Sequence, residues 1–83
     1  MDNKQAIREF LKTLLTRKGD NQPFADESQL LANGRLQSVD AVEIAVYLEE
    51  QFHVDFAEIG FDQERIDGVD AIAALIEDAK ARA

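Results

Sequence analysis

Apolar residues recur along this chain with a helical period almost throughout. Ile7, Leu11, Leu14 and Leu15, with Phe10 beside them, form one stripe. They predict a first helix over about residues 3–17. It should stop near Arg17-Lys18-Gly19, because basic residues suit a helix C-terminus and glycine readily leaves the helix there. Residues 19–37 read as a long loop, rich in the turn formers Gly19, Asp20, Asn21, Pro23, Asn33 and Gly34. Phe24, Leu30, Leu31 and Leu36 recur inside it and are expected to pin it to the core, with a helical turn at Ser28–Ala32. A second helix is expected over about 38–52, a short third segment near 61–66, and a last helix over about 68–81. In the last helix Val69, Ile72, Ile76 and Ala79 share a face with Leu75 beside them, and Asp67 is the expected N-cap. Asp70 falls in the first turn, where a negative charge is favoured. No segment alternates like a half-buried strand. The predicted class is all-α: a four-helix bundle with a long loop between helices 1 and 2 and a short third helix.

The second helix carries two apolar faces where a bundle needs one. Ala41, Ile44, Ala45, Leu48 and Phe52 fall within one arc, the natural core face. Val39, Val42 and Val46 fall opposite, flanked by Glu43, Glu49 and Glu50. The valines have two readings. They cover the long loop or stand as scattered surface residues, which is ordinary. Alternatively they form an apolar strip rimmed by carboxylates, suited to a weak and fast interface.

Charge sharpens that choice. The chain has 83 residues, no cysteine and a formal net charge of −8. One small domain, residues 1–83, is expected at this length. Disulfides and thiolate zinc sites are excluded. The window from Leu36 to Glu64 holds eight acidic residues and no Lys or Arg: Asp40, Glu43, Glu49, Glu50, Asp55, Glu58, Asp62 and Glu64. The remainder is balanced, so the whole excess sits in the middle third. This argues against nucleic acid, whose binding rests on neutralising phosphates, and equally against an anionic membrane surface. A basic protein partner fits it, although an acidic surface can also be only a solvated one. The N-terminus, Met1-Asp2-Asn3-Lys4-Gln5, is polar with no apolar stretch behind it, and no segment is apolar enough to span a bilayer. The expected location is the cytoplasm.

Ser38 opens the acidic helix. A serine in this position most often serves as an N-cap. It has no base to activate it as a nucleophile, because the only histidine, His53, lies at the far end of the same helix, about 20 Å away at 1.5 Å per residue. Ser38 is therefore a poor catalytic serine, but one that an external enzyme can modify.

The run Gly34-Arg35-Leu36-Gln37-Ser38-Val39-Asp40, followed by Val42-Glu43-Ile44 and Leu48-Glu49-Glu50-Gln51-Phe52, resembles the acyl carrier proteins. Their pattern there is Gly-x-Leu-Asp-Ser-Leu and then an acidic amphipathic helix ending Leu-Glu-Glu-x-Phe. Asp26-x-Ser28-x-Leu30-Leu31 resembles the family's loop, and Ile66-Asp67-Gly68-Val69-Asp70-Ala71-Ile72 resembles the start of its last helix. The likeness covers nearly the whole chain. It implies a 4′-phosphopantetheine arm joined to Ser38 by a phosphodiester. A carrier protein synthase, a phosphopantetheinyl transferase, installs it from coenzyme A with magnesium. The arm's thiol holds acyl intermediates as thioesters for fatty acid, lipid or polyketide biosynthesis, and the carrier itself performs no catalysis. The implied docking residues are Val39, Asp40, Val42, Glu43, Val46, Glu49 and Glu50, which would meet basic patches on acyl-transferring and biosynthetic enzymes, with the carrier a monomer. Two residues depart from the pattern: Gln37 stands where the family has Asp, and Val39 where it has Leu. Gln37 removes a charge beside the attachment site, which points to a dedicated transferase, a specialised pathway or an unmodified relative.

The competing reading is a helical interaction module with an acidic docking face and no prosthetic group. A calcium protein fits less well: no twelve-residue acidic loop ending in Glu is present, leaving only Asp62, Glu64 and Asp67 to meet a stray cation. No metal site is expected. An enzyme fits least, with one histidine, no cysteine and no metal cluster in the sequence.

Overall fold

A computed structural model describes residues 3–82, all helix, turn and loop, with no strand among them. Met1, Asp2 and Ala83, part of the expected single domain, lie outside the described residues. The helices are α1 (Asn3–Arg17), α2 (Ser38–Phe52), the one-turn α3 (Phe56–Ile59) and α4 (Val69–Arg82), with a 3₁₀ turn at Gln63–Ile66 before α4.

Each long helix turns its apolar stripe inward. α1 buries Ile7, Leu11, Leu14 and Leu15; α2 buries Ala41, Ile44 and Leu48; α4 buries Val69, Ile72, Leu75 and Ile76. α1 packs on α4, and the 3₁₀ turn packs on both α4 and α2, driving Ile66 fully into the core. Fully burying a side chain of this kind contributes about 1.5–3 kcal/mol. Leu30 and Leu36 enter the same core from the long loop, while Phe24 and Leu31 lie half-buried against it.

Ionic and capping contacts fix that loop. The Arg35 guanidinium grips the Asp20 carboxylate through Nε at 2.9 Å and Nη2 at 3.0 Å, and also donates to the carbonyls of Gln22 and Pro23. Arg8 holds Asp26 in the same two-pronged way, at 2.8 and 2.7 Å. Pairs of this geometry hold orientation as well as distance. Around Ser28–Ala32 the expected helical turn is realised as turns, with the Asn33 N–H donating to Gln29 C=O.

Asp67 is not the N-cap of α4. Its carboxylate reaches back to the loop, accepting from the N–H groups of Leu31 at 2.7 Å and Ala32 at 3.0 Å. Gly68 stands before α4 instead, with φ +109°. A Cβ there would lie 2.2 Å from the Ser28 carbonyl oxygen, so only glycine lets the loop approach this closely. The short third element also differs from expectation. The segment near 61–66 is the 3₁₀ turn, and α3 precedes it, capped by the Asp55 carboxylate on the N–H groups of Ala57 and Glu58. His53 ends α2 in the left-handed region at φ 57°, exposed to solvent.

Candidate functional site

The approach to Ser38 is set by residues already fixed. Arg35 is locked on Asp20, and Leu36 is buried with its N–H donating to Leu30 C=O at 2.9 Å. Gln37, extended at φ −112°, is the N-cap of α2, so Ser38 is the first helical residue rather than the cap. Its side chain is exposed, and no hydrogen bond among the described residues engages its hydroxyl. A hydroxyl on a rigid mount, at the positive end of a helix and open to solvent, is accessible to another protein's active site.

The capping expected of a serine here is carried by Gln37 and Asp40 together, which form a capping box. The Asp40 carboxylate accepts from the Gln37 N–H at 2.8 Å, the carboxylate half of that box. The same oxygen meets Lys18 Nζ at 2.8 Å. Asp40 is only 7% exposed. Burial pushes its carboxyl up, but the Lys18 ammonium, the Gln37 N–H and the charge of Arg17 outweigh it and hold the carboxyl below its usual value. Asp40 differs from the other expected docking residues: it is buried, and its Oδ2 is already engaged by Lys18 and the Gln37 N–H.

The other six stay at the surface. Val39, Val42 and Val46 are 65%, 59% and 44% exposed, so the loop does not cover them. With Glu43, Glu49 and Glu50 they occupy an arc of about 120° at 100° per residue. Glu43 is half-exposed and paired with Arg17 of α1 at 2.7 Å. Glu49 and Glu50 are exposed with no ion pair among the described residues.

Folding thus divides the acidic middle of the chain. Glu43 is matched by Arg17 at the end of α1 and Asp40 by Lys18 just after it, while Asp55 and Asp62 cap the turns that follow α2. Glu49, Glu50, Glu58 and Glu64 are left facing solvent. Among the described residues no group of three or more His, Asp or Glu is placed to hold a metal ion. Among the described residues no helix is long and apolar enough to cross a membrane.

Two features of this face had no signal in the sequence. Phe10 of α1 stacks flat on Tyr47 of α2, ring centres 3.9 Å apart and planes within 6°. Beside this pair runs a groove of about 330 Å³, lined by Phe10, Val42, Glu43, Val46, Tyr47 and Glu50. A second hollow of about 290 Å³ lies between α1 and the loop around Pro23. Ser38 lines neither.

No family model, curated protein or solved structure matches this chain.

Proposed function

We propose that this protein is an acyl carrier: a four-helix bundle bearing 4′-phosphopantetheine on Ser38 and presenting thioester-bound acyl groups to partner enzymes. The observation that carries the reading is the setting of Ser38. It is an exposed, unengaged hydroxyl at the first position of a rigidly mounted acidic helix, within the run Gly34-Arg35-Leu36-Gln37-Ser38-Val39-Asp40.

The residues present suit a phosphodiester at this position. The N–H groups of Ser38 and Val39 at the start of α2 and the helix dipole favour an anion beside Ser38. The nearest carboxylate along the helix, Asp40, is matched by Lys18, so the incoming phosphate meets little repulsion from it. Gln37 adds no charge. The arm, when present, supplies the thiol that forms the thioester. This chain supplies the hydroxyl, the orientation and the docking face.

Ser38 has no base of its own, because His53 stands at the opposite end of α2. As Ser38 Oγ bonds to the pantetheine-bearing phosphorus of coenzyme A, the pyrophosphate P–O bond breaks and adenosine 3′,5′-bisphosphate leaves, and the proton lost from Oγ passes to a base on the synthase. Docking falls to Val39, Val42, Val46, Glu43, Glu49 and Glu50, whose mixture of small apolar and acidic groups favours quick encounter and release. Partners are the phosphopantetheinyl transferase and enzymes of fatty acid, lipid or polyketide biosynthesis with basic docking patches. The carrier acts as a monomer in the cytoplasm.

The test is loading in vitro: intact mass after incubation with coenzyme A, magnesium and a panel of phosphopantetheinyl transferases. A gain of one phosphopantetheine, absent in Ser38→Ala, supports the reading. Failure across the panel, with Ser38 also unmodified in protein from its native cell, favours the interaction module, which shares the acidic face but carries no arm.

A further inference from the structure

The groove between α1 and α2 is not a packing defect of the core. No buried core residue lines it: Phe10, Val42, Glu43, Val46, Tyr47 and Glu50 are all half-buried or exposed. It lies at the surface, with the stacked rings of Phe10 and Tyr47 along one side and the exposed Val42 and Val46 along the other. Such a surface leaves apolar area in water that a partner side chain can remove.

Its rim is acidic and unequal. Glu43 and Glu50 stand two helical turns apart, about 10 Å along α2. Arg17 already neutralises Glu43 at 2.7 Å, whereas Glu50 has no ion pair among the described residues. On the α1 side Glu9 is exposed, and its charge, after burial, helps to push the Tyr47 phenol above its usual value. No Lys or Arg lines the groove itself.

We infer that this groove seats a partner protein's amphipathic helix, one that places an aliphatic side chain over Phe10, Tyr47 and Val46 and a Lys or Arg on Glu50. An acidic rim around an apolar floor is complementary to a helix that carries both cations and aliphatic side chains. A second copy of this chain would bring its own carboxylates to the same rim, and an anionic lipid surface would be repelled by it. The inference deepens the docking half of the carrier reading by extending the contact from α2 onto α1. It also sets a polarity: the partner's cation belongs at the Glu50 end, because Arg17 holds the Glu43 end.

The experiment uses the chain without an arm, so it does not depend on modification of Ser38. A helical peptide with two leucines one turn apart, flanked by lysines and arginines, is titrated into isotope-labelled protein and followed by NMR. Shifts are expected to concentrate at Phe10, Val42, Val46, Tyr47 and Glu50. Val42→Asn with Val46→Asn, both at exposed positions, should weaken binding about tenfold while leaving the melting temperature unchanged. Glu50→Gln should weaken it about threefold at low salt and reduce its salt dependence. Equal binding of a peptide with serine in place of leucine would overturn the inference, since only charge would then be at work. So would shifts confined to other faces. Sedimentation showing a dimer that Val46→Asn dissolves would also overturn it, assigning the groove to a second copy.

Discussion

Lys18 Nζ lies 2.8 Å from Asp40 Oδ2, joining the residue that follows α1 to the first turn of α2 across the whole long loop. One contact does three things. It turns Asp40 inward, completes the support of the α2 N-terminus through Gln37, and removes a free charge two residues from Ser38.

Asp40→Ala should therefore destabilise the fold by about 1–2 kcal/mol, from the lost cap and ion pair together. The pH dependence follows from the lowered carboxyl. A carboxyl held below its unfolded value of 3.8 adds stability that is complete above that value and disappears as pH falls through the folded one. The gap between parent and Asp40→Asn, measured by urea unfolding, should be full at pH 6 and shrink as the pH drops below about 4. A gap that stays constant into acid would contradict the pair. Asp20 and Asp26 are lowered in the same direction, first by their hydrogen bonds to Arg35 and Arg8, and so add to the acid sensitivity of the loop.

Gly68→Ala places a methyl group 2.2 Å from the Ser28 carbonyl oxygen on a backbone at φ +109°. Backbone cannot yield as a side-chain tip does, so the loop and α4 must separate. A loss of about 2 kcal/mol or more, read as a clear fall in melting temperature, is expected. Gly34→Ala meets nothing within 4 Å and should cost less.

Asp67→Ala leaves the N–H groups of Leu31 and Ala32 without their acceptor. The expected cost is about 1–2 kcal/mol. Hydrogen exchange should quicken at those two amides and along the loop that leads to Ser38. If α4 alone frayed, Asp67 would be acting as its cap after all.

Val39→Ser, Val42→Ser and Val46→Ser should each change stability by no more than about 0.5 kcal/mol, because these side chains are largely exposed. The same changes should slow transfer of an acyl group from the loaded carrier to a partner enzyme. Large destabilisation would return the valines to a packing role.

The long helices were legible in the sequence because each repeats its apolar residues over several turns. Ile7, Leu11, Leu14 and Leu15 alone define α1 and its buried face. α3 was not legible, since Phe56–Ile59 is a single turn with no period to detect; Asp55 ahead of it was the one available signal. The site divides in the same way. Ser38 and the outward valines follow from position and periodicity. The inward turn of Asp40 had a trace in the sequence, since it precedes Ile44 by four residues and so shares the core side of the helix. Asp67 was misread because local rules favour an N-cap, and a tertiary partner 35 residues away claimed its carboxylate instead. The Arg17–Glu43 pair and the Phe10–Tyr47 stack join separate helices, and no local pattern encodes them.

On the carrier reading, Ser38 bears the arm. The most direct measurement is the intact mass of the protein isolated from its native cell, with fragmentation to locate any added group. The expected result is a population heavier by one phosphopantetheine, localised to Ser38, some of it heavier still by an acyl group that hydroxylamine releases. A population wholly at the mass of the bare chain, or an arm found on another residue, would contradict it.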